Sequence, residues 1–264
     1  MNSPHAHYRS LESKHAVVTG GGSGIGAATA EALLRAGARV TLMGRDAARL
    51  DAQRARLAEF GEVACVSVDV TQAVSVADAF AAASKTSGSV DVLVNNAGQA
   101  KAAPFAKTDM ALWQRMLDVN LTGVFLCTQA VLPTMIEQRD GRIVNVASTA
   151  GQIGYPYVAA YCAAKHGVIG LTRSLALEVA AKGVTVNAVC PGYTETELLR
   201  ESLDQIIAKT GRSVEQARAS LVQGNPQQRF VTPGEVAHAV LWLCQPESAS
   251  ITGQSISVSG GEVT

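Results

Sequence analysis

Three residues offer proton chemistry: Ser148, Tyr161 and Lys165, thirteen and then four residues apart. The tyrosine and lysine fall on a stretch with helical periodicity, so both project from one face a single turn apart. A phenol titrates near about 10 and is by itself a poor acid or base at neutral pH. A neighbouring ammonium favours the phenolate and lowers that value, and a serine hydroxyl can steady the same oxygen. Together they would form a proton-handling pair with an orienting partner. Tyrosine and lysine four apart also occur on many helices without a task, so the surrounding chain has to carry the assignment. Cys162, between the two, is the one cysteine to watch for reactivity; as a small buried hydrophobe it would only pack.

The elements that would hold these residues alternate along the chain. Apolar runs at 16–18, 39–43, 63–68, 90–94, 141–147, 184–189 and 254–258 read as strands, the fifth ending in Ser148 and the sixth halted by Pro191. Helical patterns lie between them, up to Gly37 and then over 46–60, 71–85, 109–138 and 161–181. Near-continuous apolar strands separated by helices mean a parallel sheet buried on both faces. The expected fold class is therefore α/β: one doubly wound domain with a seven-stranded parallel sheet and helices on both faces. At 264 residues, without a linker or repeat, the chain fits a single domain over 14–264 behind a flexible leader at 1–13. Residues 194–228 are polar and helix-prone and interrupt the alternation, as a lid or binding insert does.

Composition excludes several classes. Lysine plus arginine and aspartate plus glutamate stand at 22 each, so neither a nucleic acid nor an anionic membrane surface is an expected partner. No run approaches the roughly 18 apolar residues of a membrane span, and the leader has no apolar core of the kind a signal peptide carries. The five cysteines lack CxxC spacing, which reads as a reducing, cytoplasmic compartment. The histidines, including His5 and His7 in the leader, have no convergent carboxylate or cysteine spacing, so no metal is expected. His166 points about 100° around the helix from Lys165 and is read as structural.

A second kind of chemistry sits near the start. Thr19, Gly20, Gly21, Gly22, Ser23, Gly24, Ile25 and Gly26 follow the first strand and open the first helix. Glycines let such a turn fold tightly and let backbone approach a pyrophosphate, while the helix N-terminus offers unpaired N–H groups to phosphate. Placed between strand and helix, this run points to a dinucleotide. Where an acid for the ribose 2′-hydroxyl would stand, at the end of the second strand, the chain has Gly44, followed by Arg45. An arginine without a competing carboxylate favours NADP(H), with NAD(H) a possible substitute. The bland alternative for Arg45 is a solvated arginine, with Asp46 capping the next helix.

From about Lys14 to Gly261 the chain resembles the short-chain dehydrogenases/reductases, a family with a Rossmann fold. The matching motifs are the TGxxxGxG spacing of 19–26, Asp69-Val70 after the third strand, Asn95-Asn96-Ala97-Gly98 after the fourth and Asn120 within Val119-Asn120. The Ser148, Tyr161 and Lys165 spacing and Pro191-Gly192 complete the set. The resemblance implies hydride transfer between nicotinamide and a carbonyl carbon, with Tyr161 as general acid in reduction and general base in oxidation. It implies that Lys165 lowers the phenol's pKa and holds the nicotinamide ribose. Ser148 would bond the substrate oxygen, and Asn120 would kink its helix and hold a water. Asp69 and Val70 would meet the adenine, Asn96, Ala97 and Gly98 would line the cofactor channel, and Pro191, Gly192, Thr194 and Thr196 would meet the nicotinamide end. Thr194 could instead only cap the following helix, and Asn95 could be only a turn residue. A homotetramer packed through the two long helices flanking the fifth strand is also implied.

The substrate, a small carbonyl or alcohol, is less legible. The stretches 141–151 and 165–170 are similar to β-ketoacyl thioester and polyketide ketoreductases, whereas the insert and 228–233 look more like 3-hydroxybutyrate dehydrogenases. Those enzymes hold a free carboxylate with polar residues at the positions of Ala150 and Val158, and an apolar lining does not compensate a carboxylate's desolvation. Gln152, Tyr155, Tyr193, Leu198 and Leu199 therefore outline a pocket for a larger, partly apolar ketone or thioester, or else pack the insert onto the core. A secondary-alcohol or sugar-alcohol dehydrogenase and a non-catalytic NADP(H)-binding sensor are the competing readings.

Overall fold

The structure, a computed structural model, describes residues 10–264. Seven parallel strands form one sheet in the order β3-β2-β1-β4-β5-β6-β7: β1 His15–Thr19, β2 Arg39–Gly44, β3 Val63–Ser67, β4 Val92–Asn95, β5 Gly141–Val146, β6 Val184–Pro191 and β7 Ser255–Val258. Between them run α1 Gly24–Arg35, α2 Ala47–Leu57, α3 Ala73–Ser87, α4 Met110–Leu117, α5 Gly123–Gln138, α6 Ala159–Val179, α7 Glu197–Thr210, α8 Val214–Val222 and α9 Pro233–Cys244. Successive strand side chains point to opposite faces, and the core divides accordingly. Ala16, Val18, Val92 and Val94 face Ala30, Leu33 and Leu34 of α1 and Val240 and Leu243 of α9. Val17, Leu93 and Ile143 face Phe80 of α3, Val131 and Met135 of α5 and Val179 of α6. Every residue of β1, β4 and β6 is buried, the polar ones among them (His15, Thr19, Asn95, Thr185 and Asn187) included, as in a parallel sheet covered on both faces.

Three expectations change. The helix over 109–138 is interrupted by a π-turn at Asp118–Thr122, between α4 and α5. By length and composition 110–138 could cross a membrane, contrary to the sequence reading that no run approaches that size. Here Cys127, Val131 and Met135 pack into the core instead. Residues 1–9 of the leader lie outside the described residues, but Leu11 is in the core at 1% exposure and its N–H donates to Ala36 O, so the packed domain begins before Lys14. The insert at 194–228 folds as α7 and α8. Leu199, Leu203, Ala217 and Phe230 give it a small core of its own, and a Ser213–Gln216 capping box starts α8.

Candidate active site

Six groups of candidate site residues follow the C-terminal ends of strands: the glycine run after β1, Arg45 after β2, Asp69 after β3, Asn96 after β4, Ser148 after β5 and Gly192 after β6. Strand order reverses between β1 and β4, and an open parallel sheet offers its ligand crevice at that point.

Ser148 caps the short turn Thr149–Gly151, its Oγ accepting from Ala150 N at 3.1 Å. Its hydroxyl also acts on the phenol of Tyr161, which stands on the first turn of α6, pulling the phenol's titration down. One turn on, Lys165 is buried, donates from Nζ to Val146 O at 2.8 Å, and lies 5.6 Å from the centre of the Tyr161 ring. Both groups are pushed toward neutrality. Burial raises the Tyr161 phenol to about 12, against the opposing pull of the Ser148 hydroxyl, and burial lowers the Lys165 ammonium to about 8. The expected lowering of the phenol by the lysine is thus outweighed: the ammonium is engaged by a backbone carbonyl, and desolvation dominates the phenol. The polypeptide holds Tyr161 as a proton donor.

The π-turn carries Asn120, fully buried, whose Nδ2 donates to Met116 O at 3.0 Å and Gln99 O at 2.9 Å while its Oδ1 accepts from Gln99 N at 3.2 Å. A Cβ on Gly98 would lie 2.9 Å from Asn120 Oδ1 and 3.7 Å from Lys165 Nζ, so the segment after β4 passes directly beside the lysine. Its other end ties down the glycine run: Asn96 Nδ2 donates to Thr19 O at 2.9 Å and Gly20 O at 3.2 Å, and Thr19 Oγ1 accepts from Asn96 N and Ala97 N at 3.0 Å each. A Cβ on Gly26 would sit 2.3 Å from Gly20 O, so no other residue fits there. Ser23 makes no side-chain cap to α1, which leaves the first N–H groups of that helix for an acceptor such as phosphate. These features fit a dinucleotide's pyrophosphate.

Arg45 is exposed at the rim of a cavity of about 460 Å³ that Asp69, Thr71, Gln99 and Val119 also line. Asp69 is held below the usual carboxylate range, chiefly by the Thr71 N–H and hydroxyl, with a smaller contribution from Arg45. Asp46 caps α2, as its position suggested. The insert starts over the glycine run. A Cβ on Gly24 would lie 3.1 Å from Thr196 Cγ2, and Arg49 reaches across to Glu197 at 2.5 Å. Thr196, not Thr194, caps α7; the Thr194 hydroxyl instead donates to Gly192 O at 2.9 Å.

The expected pocket is only partly assembled. Ala150 is buried, Val158 precedes α6, and Tyr155 meets Tyr193 edge-on with ring centres 6.2 Å apart. Gln152 is occupied by Ser257, whose hydroxyl donates to its Oε1 at 3.0 Å. Leu199 packs in the insert's own core, 6% exposed, while Leu198 is half-buried on the same turn. Asn95 is no turn residue. It ends β4 in a buried ladder, donating to Thr128 Oγ1 at 3.0 Å and Asn145 Oδ1 at 2.9 Å, and Asn145 donates on to Thr172 Oγ1. Cys162 is buried, and His166 Nδ1 is paired with Cys162 O in its own helix. His15 is a core histidine between Gly88 O and Thr41 Oγ1. Among the described residues no group of three or more His, Cys, Asp or Glu could hold a metal ion.

Sequence reasoning missed Glu262. From the tail after β7 its Oε1 accepts from the Tyr155 hydroxyl at 2.7 Å, and its Oε2 would lie 2.9 Å from a Cβ on Gly192. The only local signal was Gly260-Gly261, a turn that brings the tail back.

The family description "short chain dehydrogenase" matches residues 14–206. The 2-(S)-hydroxypropyl-CoM dehydrogenase 3 of Xanthobacter autotrophicus is 40% identical over 95% of this chain and 97% of its own. The 3-oxoacyl-[acyl-carrier-protein] reductase of Synechocystis is 40% identical over 96% and 98%. Among solved structures, a single-substitution variant of the actinorhodin polyketide ketoreductase with NADPH superposes with a TM-score of 0.91 at 39% identity, covering 94% of this chain and 97% of that one.

Proposed function

The chain belongs to the short chain dehydrogenase family, NAD(P)-binding oxidoreductases of the CH–OH/C=O pair, and from that premise we propose that it is an NADP(H)-preferring ketoreductase. Its substrate is a 3-oxoacyl thioester or a comparable partly apolar ketone. The observation that carries this reading is the buried group at the end of β5: the Lys165 ammonium, held by Val146 O, lies 5.6 Å from the centre of the Tyr161 ring, with Ser148 acting on the phenol. The similarity to a ketoacyl reductase and to a polyketide ketoreductase supports the substrate class.

The glycine run and the free N–H groups of α1 bind the pyrophosphate, Arg45 pairs with the 2′-phosphate, and Asp69 and Val70 meet the adenine. Pro191, Gly192, Thr194 and Thr196 border the nicotinamide end. When bound, the nicotinamide supplies or accepts the hydride. Ser148 orients the carbonyl oxygen by a hydrogen bond, and Tyr161, protonated below about 12, delivers the proton to that oxygen. Lys165 holds the ribose hydroxyls, and its charge favours the phenolate left behind. Asn120, its amide pinned by Met116 O and Gln99 O, positions the water through which the proton is replaced.

The free state of all five cysteines supports a reducing, cytoplasmic setting. Phe125 on α5 and Leu177 on α6, 46% and 86% exposed, support a homotetramer packed through those helices. Initial rates with NADPH and NADH on an acetoacetyl thioester, a cyclic ketone and a polyol test the assignment. Fastest turnover of the thioester or ketone with NADPH is the expected result. Oxidation of the polyol alone would make it a sugar-alcohol dehydrogenase, and silence despite tight NADPH binding would make it a sensor.

A further inference from the structure

The tail after β7 puts a carboxylate where the sequence placed only aromatics. Gly260 and Gly261 take left-handed conformations, with φ of +64° and +92°, and turn the tail back. Ser259 locks the turn: its hydroxyl accepts from Val263 N at 3.3 Å and its carbonyl accepts from Glu262 N at 3.2 Å. A Cβ on Gly260 would lie 2.4 Å from Asn225 Oδ1, so the turn is braced against the segment leaving the insert. Glu262 is thereby aimed inward, at the crevice.

There its partner is Tyr155. The Tyr155 hydroxyl has one proton, and the 2.7 Å contact with Glu262 takes it; the Thr149 hydroxyl, 2.9 Å away, then donates to the phenol oxygen. Burial raises Tyr155 far above the ordinary phenol range, and the carboxylate adds to that rise. Thr149 follows Ser148 directly, and Tyr193 is coupled electrostatically both to Glu262 and to Tyr161. The carboxylate thus stands at the substrate end of the crevice, with no cation bonded to it among the described residues.

We propose that Glu262, oriented by Tyr155, sets the charge selectivity of the crevice: it admits ketones that are neutral around the reacting carbonyl and rejects those carrying a carboxylate or sulfonate there. This rests on the ketoreductase reading and narrows its substrate class. Two like charges in a partly buried site repel strongly enough to matter even after solvent screening. An acyl thioester is neutral beside its keto group, whereas a free 3-oxo acid is not.

Acetoacetate and its methyl ester differ by that one charge. With the NADPH-loaded enzyme at low salt, the ester is expected to be preferred in kcat/KM, and Glu262→Gln is expected to shift the ester-to-acid ratio toward the acid by about tenfold. Tyr155→Phe, which keeps the carboxylate and removes its hydroxyl partner, is expected to leave the ratio in favour of the ester. An unchanged ratio in Glu262→Gln overturns the proposal. Should neither compound turn over, the ketoreductase reading fails separately, and calorimetric binding of the two compounds to the NADPH complex decides the inference by the same ratio. Equal binding of acid and ester, or binding of neither, overturns it.

Discussion

Lys165 should cost the folded chain stability at neutral pH, by an amount that titration reveals. An ammonium that titrates at 10.5 in the open chain is lowered to about 8 by burial in the folded one. Between those values the unfolded chain binds more protons than the native chain, so stability rises with pH across that window. The gap of about 2.5 pH units corresponds to about 3 kcal/mol in full, and to about 2 kcal/mol between pH 7.5 and 9.5. Tyr161, raised to about 12, has the opposite sign, binding protons more tightly when folded, but only above about pH 10. Lys165→Met keeps the length of the stem and removes the titrating group, so the difference between the two proteins isolates the lysine. Urea unfolding of cofactor-free enzyme and variant at pH 7.5, 8.5 and 9.5 is the assay. The parent is expected to gain about 2 kcal/mol on the variant over that range. A difference that stays flat would mean that the ammonium is not desolvated and that the electrostatic description of the site is wrong.

Other perturbations act on separate parts. Tyr161→Phe should abolish turnover while NADPH affinity stays nearly intact in a fluorescence titration; more than about a tenth of the activity surviving would remove the phenol from the proton path. Arg45→Ala should weaken NADPH by about tenfold more than NADH, from loss of a charge-assisted bond to the 2′-phosphate, and equal losses would show that Arg45 does not read that group. Asn95→Ala deletes the donor that joins Thr128 to Asn145 in the buried ladder and should cost about 1–3 kcal/mol in urea unfolding. A loss below about 0.5 kcal/mol would mean the ladder contributes little.

The sheet and most of the crevice were legible because their signals are local. A strand buried on both faces reads as an apolar run, a close turn demands glycine, and β4, β5 and β6 run straight into motifs that stand at the strand ends. Asp46 announces a helix start by the same local logic, whereas the cap of α7 is Thr196 and not Thr194, the threonine the sequence offered for it. Residues whose role depends on what lies opposite stayed open. Leu199 reads as a pocket wall or as packing with equal ease, and only the pairing of α7 with α8 sends it inward.

Sequence alone determined the doubly wound sheet, the dinucleotide turn and the serine, tyrosine and lysine at its edge, since each is encoded within a few neighbouring residues. Tertiary structure decided the electrostatics. That Lys165 is held by the Val146 carbonyl, that burial keeps Tyr161 protonated, and that Glu262 arrives from 107 residues away to meet Tyr155 are consequences of which distant atoms share a crevice. A charge's behaviour is set by the dielectric and partners around it, and those exist only once the chain has closed on itself.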